Sequence, residues 1–125
     1  VPHDQALWLP GKLLPEDGSA HRVYQTVKGD LQFPADKKFQ PIHDEHALEG
    51  VADICTLNDI SDPSLLHSLR ERYSRDEIYT YVSCVLIAVN PFKPINNYSS
   101  EYIEMYHSTP DYTHLPPHIY GIAHN

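Results

Sequence analysis

Apolar positions along the chain change period three times, and each period predicts a different element. The first forty residues carry short alternating runs: Leu7-Trp8-Leu9, Arg22-Val23-Tyr24-Gln25-Thr26-Val27 and Leu31-Gln32-Phe33. Alternation with period two, and a turn at Lys28-Gly29-Asp30, predict a small β meander containing a hairpin. Residues 34–49 are polar, hold Pro34, Pro41 and the cluster His43-Asp44-Glu45-His46, and read as a linker. From Gly50 the spacing lengthens, because Val51, Ile54 and Leu57 recur every three residues and predict one or two helical turns. Ser61-Asp62-Pro63 then marks a helix start, with Asp62 the expected N-cap and Pro63 the first helical residue. Leu65, Leu66, Leu69 and Tyr73 define one face of that helix, which is expected to end near Tyr73; Arg70, Glu71 and Arg72 are expected on the opposite, solvated face.

The third pattern is a β-branched and aromatic run, Ile78-Tyr79-Thr80-Tyr81-Val82, a break at Ser83, and Cys84-Val85-Leu86-Ile87-Ala88-Val89. The second half is apolar at every position, which predicts a strand covered on both faces. Asn90-Pro91 ends it, since proline cannot extend a ladder. A second helix is expected from Ser100 to about His107 and a third from Pro117. The fold class is therefore mixed α/β. The chain starts without Met and ends inside the last expected helix, so both ends are expected to be cuts in a longer polypeptide.

Composition narrows the function. Eleven prolines and five glycines in 125 residues favour short elements joined by extended loops, while 41% apolar and 21% charged residues argue against disorder throughout. A net charge of -8 disfavours nucleic acid and anionic membrane surfaces as partners. No apolar run is long enough for a transmembrane segment, and Val1-Pro2-His3-Asp4 has no signal-peptide character. Cys55 and Cys84 are far apart and read as free thiols of a reducing cytosol. Nine histidines raise a metal-binding module as one alternative, with His43 and His46 at i, i+3 and His114 and His118 at i, i+4; neither pair has a third ligand in register, so no metal site is expected. Arg70 and Arg72 are candidates for a phosphate or a protein partner, although alternating Arg and Glu more often mark a solvated face or salt bridges to neighbouring subdomains.

Five short motifs stand in order between Gly50 and Ala123. They are Gly50-Val51-Ala52-Asp53-Ile54 with Leu57; Leu69-Arg70-Glu71-Arg72-Tyr73; Ile78-Tyr79-Thr80-Tyr81; Leu86-Ile87-Ala88-Val89-Asn90-Pro91-Phe92-Lys93; and Pro117-His118-Ile119-Tyr120 with Ile122-Ala123. On its residues alone, Asn90-Pro91 is above all a turn signal. Taken together, the series resembles the myosin motor head. Against that family's pattern, Ser83 replaces a turn glycine, Asn96 a proline and Gly121 an alanine, which suggests a divergent or unconventional class.

The resemblance implies the N-terminal part of a P-loop NTPase motor head. Residues 50–125 would start the motor domain, and 1–49 would form a meander and linker compatible with a reduced SH3-like barrel. It further implies that Asn90, Pro91, Phe92, Lys93 and Tyr98 line the purine side of an ATP pocket, with ATP and Mg²⁺ as cofactors of the complete head. Its partners would be actin filaments and the rest of the head, with light chains or calmodulin reached only through regions outside this chain. Its place would be the cytoplasm, on the cytoskeleton. No catalytic residue is expected here: glycines occur only at 11, 18, 29, 50 and 121, so no G-x-x-x-x-G-K-[ST] loop can be written. The competing reading is a non-catalytic interaction protein on a motor-like scaffold.

Overall fold

The computed structural model describes residues 2–3, 7–15, 21–37, 39 and 44–123; the side chains of residues 2, 3, 7, 8, 45 and 112 are not part of that description. The fold is mixed α/β, as the pattern predicts. Strands β1 (Pro2–His3) and β2 (Leu7–Trp8) form an antiparallel pair. Strands β3 (Gly11–Leu13), β4 (His21–Thr26) and β5 (Gly29–Pro34) form an antiparallel sheet in the order β3-β4-β5. The hairpin turn sits one residue earlier than expected: Thr26 faces Gly29, leaving Val27 and Lys28 in the loop. Tyr24, Phe33 and Phe39 meet edge to face with centroids 4.7 to 6.1 Å apart, which gives this sheet an aromatic cluster of its own. The polar stretch after it is not wholly irregular, since Glu45–Leu48 forms a 3₁₀ turn capped by Asp44.

Asp44 closes the next segment down. Its carboxylate is buried and accepts from His46 N at 3.0 Å, Asn58 N at 2.9 Å and Asn58 Nδ2 at 3.1 Å, and the Asn58 backbone bond leads the effects that hold it below the usual carboxylate range. A second 3₁₀ turn, Ile54–Thr56, delivers Ile54 and Leu57 into the core beside Ala47, as the three-residue spacing predicts.

Helix α1 (Asp62–Ser74) differs from expectation in its cap and in its buried face. Ser61, not Asp62, is the N-cap, and Ser61 and Ser64 form a reciprocal capping box. Leu65 packs partly against the core, but the buried face runs through Ser64, Ser68 and Arg72, while Tyr73 is exposed. Small serines allow close approach, and Ser68 Oγ lies 3.4 Å from the Ala47 carbonyl. Arg72, expected in solvent, is 7% exposed.

Gly50 shows why the second half of the chain begins with glycine. Its φ is +77°, and an added Cβ would lie 2.8 Å from Glu71 Cβ and 3.3 Å from Arg72 Cγ on α1. Arg75 clasps the same turn, donating to the carbonyls of Glu49 at 3.0 Å and Gly50 at 3.2 Å. Gly50→Ala is expected to lower stability by about 1–3 kcal/mol, combining left-handed strain with a clash against the first side-chain carbons of Glu71 and Arg72. A chemical-denaturation midpoint unchanged from that of the original chain would contradict this.

Strands β6 (Tyr79–Val82) and β7 (Val85–Ala88) form a hairpin whose two-residue loop has a positive φ of 56° at Ser83. Asp53 stabilises that strained corner: its Oδ1 accepts from Ser83 N at 3.2 Å as well as from Cys55 N at 3.0 Å. Among the described residues, β7 is not covered on both faces. Val85 is 58% exposed, Ala88 is exposed, and β6 is the neighbour β7 pairs with. Its apolar run therefore leaves one edge open. Helices α2 (Ser100–Ser108) and α3 (Ile119–Ala123) follow, the latter starting two residues after Pro117.

Candidate functional site

The end of β7 releases the chain into the segment 89–99, which carries Asn90, Pro91, Phe92, Lys93 and Tyr98, the five residues expected at a nucleotide. Val89 N still bonds the Ile78 carbonyl at 3.0 Å, so Asn90 is the first residue beyond the ladder. Asn90 Oδ1 accepts from Phe92 N at 2.8 Å, an Asx turn that shapes the exit. Phe92 is held at φ +52° with 89% of its surface exposed. A bulky aromatic in left-handed backbone is an outlier, and its exposed ring gains little burial in compensation. Lys93 Nζ pairs with Asp76 Oδ1 at 2.6 Å, tying the segment to the end of α1. Tyr98 is 49% exposed, and its hydroxyl is 2.6 Å from that of Tyr79 on β6.

Asn90, Phe92 and Lys93 thus share one exposed turn, with half-buried Pro91 between them. Tyr98 stands apart on the Tyr79 side. Their chemistry fits the base and sugar of a nucleotide: Asn90 Nδ2 keeps its donors, and Pro91, Phe92 and Tyr98 offer flat apolar area with one hydroxyl.

Behind Tyr98 lies a cluster centred on His118, which the sequence offers only as a motif residue and as half of a histidine pair. His118 is 3% exposed, and the rings of Tyr79, Tyr98, Tyr102, Tyr106 and Tyr120 stand 4.5 to 5.6 Å from its own. Its Nε2 is 2.8 Å from the Asn97 carbonyl, and its Nδ1 accepts from Tyr120 N at 3.2 Å. The Tyr106 hydroxyl donates to the Pro116 carbonyl, and burial pushes that phenol up to about 12. His118, Tyr79, Tyr102 and Tyr106 border a cavity of about 390 Å³ reaching Arg72, Glu77 and Glu101. Of the two histidines spaced i, i+4, His114 lies 3.3 Å from Asp111 while His118 is held by Asn97. His46 engages Glu49 at 3.7 Å, and its sequence partner His43 lies outside the described residues.

Arg72 is structural rather than a free cation. Its Nε donates to Thr80 Oγ1 at 3.0 Å and to the Tyr79 carbonyl at 3.2 Å, its Nη2 donates to that carbonyl at 2.8 Å, and its Nη1 lies 3.3 Å from Glu77. No helix among the described residues is long and apolar enough to cross a membrane.

Residues 51–125 match the family model described as myosin head (motor domain). The myosin-J heavy chain of Dictyostelium discoideum is 33% identical over 126 aligned residues, covering 98% of this chain and 6% of its own length. Unconventional myosin-Ia of Gallus gallus is 48% identical over 74 residues, 59% of this chain and 7% of its own. Unconventional myosin-VIIb of Mus musculus is 36% identical over 117 residues, 92% of this chain and 5% of its own. The chain spans less than a tenth of the length of these relatives. With a match that begins at Val51 and takes in α1, the β6–β7 hairpin, the Asn90–Tyr98 segment and the His118 cluster, the chain belongs to the myosin head (motor domain) family.

Proposed function

We propose that the chain is the opening part of an actin-based, ATP-driven motor, and that Asn90, Pro91, Phe92, Lys93 and Tyr98 form the purine and ribose side of its nucleotide pocket. The observation that carries this reading is Phe92, an exposed ring kept in strained backbone by the Asn90 side chain at the mouth of a strand. Such strain is a cost that a structural turn would avoid and a preorganised binding wall would use. In this reading Asn90 Nδ2 donates to the base or sugar, Pro91 and Phe92 wall off water, and Tyr98 adds a hydroxyl. Lys93 stays on Asp76 and holds the turn in place. ATP with Mg²⁺ supplies the hydrolysable phosphates when bound, and the groups that cradle those phosphates belong to sequence beyond this chain.

Residues 50–125 would open the motor domain, with 1–49 as an N-terminal β meander and linker. Actin filaments and the remainder of the head are the proposed partners, in the cytoplasm, with light chains or calmodulin engaged elsewhere on the polypeptide. Two measurements test this. The transcript continuing past Asn125 is expected to encode an apolar strand and a G-x-x-x-x-G-K-[ST] loop within about 15 to 25 residues, since that loop must leave a strand and open a helix to aim its N–H groups at phosphate. The 125-residue chain alone is expected to release no phosphate from ATP, with or without actin. The open edge of β7 favours one rival, a non-catalytic interaction protein, and a continuation lacking the loop would choose it.

A further inference from the structure

A buried histidine with two defined hydrogen bonds has a readable tautomer. His118 Nδ1 accepts from the Tyr120 N–H, so the ring proton must sit on Nε2, which then donates to the Asn97 carbonyl at 2.8 Å. Asn97 immediately precedes Tyr98, and the Tyr98 ring lies 5.5 Å from the His118 ring. From the other side, the Tyr98 hydroxyl meets Tyr79.

We propose that His118 is a positioning residue for Tyr98: its neutral ring holds the Asn97 carbonyl and borders the Tyr98 ring, and so fixes where Tyr98 presents its face. This rests on the reading of Tyr98 as part of the nucleotide edge. A Phe at 118 would fill similar volume but would leave the Asn97 carbonyl without its donor. The clamp also depends on the ring staying neutral, because a proton on Nδ1 would place two N–H groups against each other at Tyr120.

The surroundings agree with a neutral ring. Burial pushes the His118 pKa below its ordinary value, and the Asn97 bond offsets this only in part. The groups packed against it from β6, the 89–99 segment, α2 and α3 are the tyrosines, which carry no charge near neutral pH. The charged groups around the same cavity are Arg72, Asp76 and Glu77 from the end of α1 and Glu101 from α2. With the folded pKa below the unfolded one, the unfolded chain binds the proton first. The stabilisation is complete above about pH 6.5 and declines as pH falls from there toward the lower folded value.

The test uses the complete polypeptide that carries this chain, with 3-fluorotyrosine at position 98. His118→Phe is expected to shift the fluorine resonance and to weaken ATP binding about 10-fold, the size of one lost hydrogen bond. His118→Gln, which carries an amide donor in place of Nε2, is expected to return both toward the original values. In the unsubstituted protein the resonance should move with a midpoint below pH 6.5, a step that His118→Gln abolishes; this remains measurable if His118→Phe does not fold. A resonance indifferent to both substitutions and to pH overturns the clamp. A resonance that moves while ATP affinity stays constant overturns instead the nucleotide-edge reading of Tyr98, and separates the two claims.

Discussion

Replacing Arg72 by Ala is expected to destabilise the fold by about 2–4 kcal/mol, far more than an ordinary substitution on a charged helix face. The guanidinium joins α1 to β6 through the Tyr79 carbonyl and Thr80 Oγ1, and Thr80 is itself buried. Removing it leaves those acceptors desolvated without a donor, opens a void at the cavity wall and frees Glu77 from one of its two cations. Arg72→Lys should recover only part of the loss, because a single ammonium cannot span both acceptors as the planar fork does. Urea unfolding measures this as a fall in the midpoint at constant slope. A change within about 0.5 kcal/mol would mean that Arg72 behaves as the solvated charge its neighbours Arg70 and Glu71 suggested.

That contrast marks where the sequence stops being legible. Hydrophobic period found the β4–β5 hairpin, the Ile54 turn, α1, the β6–β7 pair and α2, because each is encoded by local spacing. It missed the buried face of α1, since Ser64, Ser68 and Arg72 are polar and their burial depends on partners supplied by Ala47, Tyr79 and Thr80 from other elements. His118 was hidden for the same reason: a buried polar ring is explained by the Asn97 carbonyl and the Tyr120 amide, neither of which any motif announces. The opposite error occurred at β7. Its unbroken apolar run reads as a strand covered on both faces, while the pairing present within these residues covers one edge. The site segment was legible in position, because Asn90-Pro91 must end a strand. Its strained Phe92 was not, since φ is not written in a pattern of apolar and polar letters.

The second large effect concerns that segment. In the complete head, Asn90→Ala combined with Tyr98→Phe is expected to weaken ATP binding by about 1–3 kcal/mol, roughly 5- to 150-fold, as nucleotide donors and acceptors lose their partners in a desolvated site. Phe is used at 98 to keep the ring packed beside His118. Because Tyr98→Phe also breaks the hydroxyl contact with Tyr79, Tyr79→Phe serves as the control: it removes the same hydrogen bond and leaves the Tyr98 hydroxyl in place. Asn90→Ala also releases the Phe92 amide from its Asx turn, so part of its effect should appear as a loosened turn even without nucleotide. The phosphate-binding groups are untouched by either change.

The most direct measurement is therefore a titration of a fluorescent ATP analogue into the complete head, the double variant and the Tyr79→Phe control. The double variant is expected to lose affinity in a way that the control does not reproduce, with folding and saturated hydrolysis retained. Equal affinity in all three proteins would contradict it, and would return Asn90-Pro91 to a plain strand-ending turn and Tyr98 to a packed aromatic.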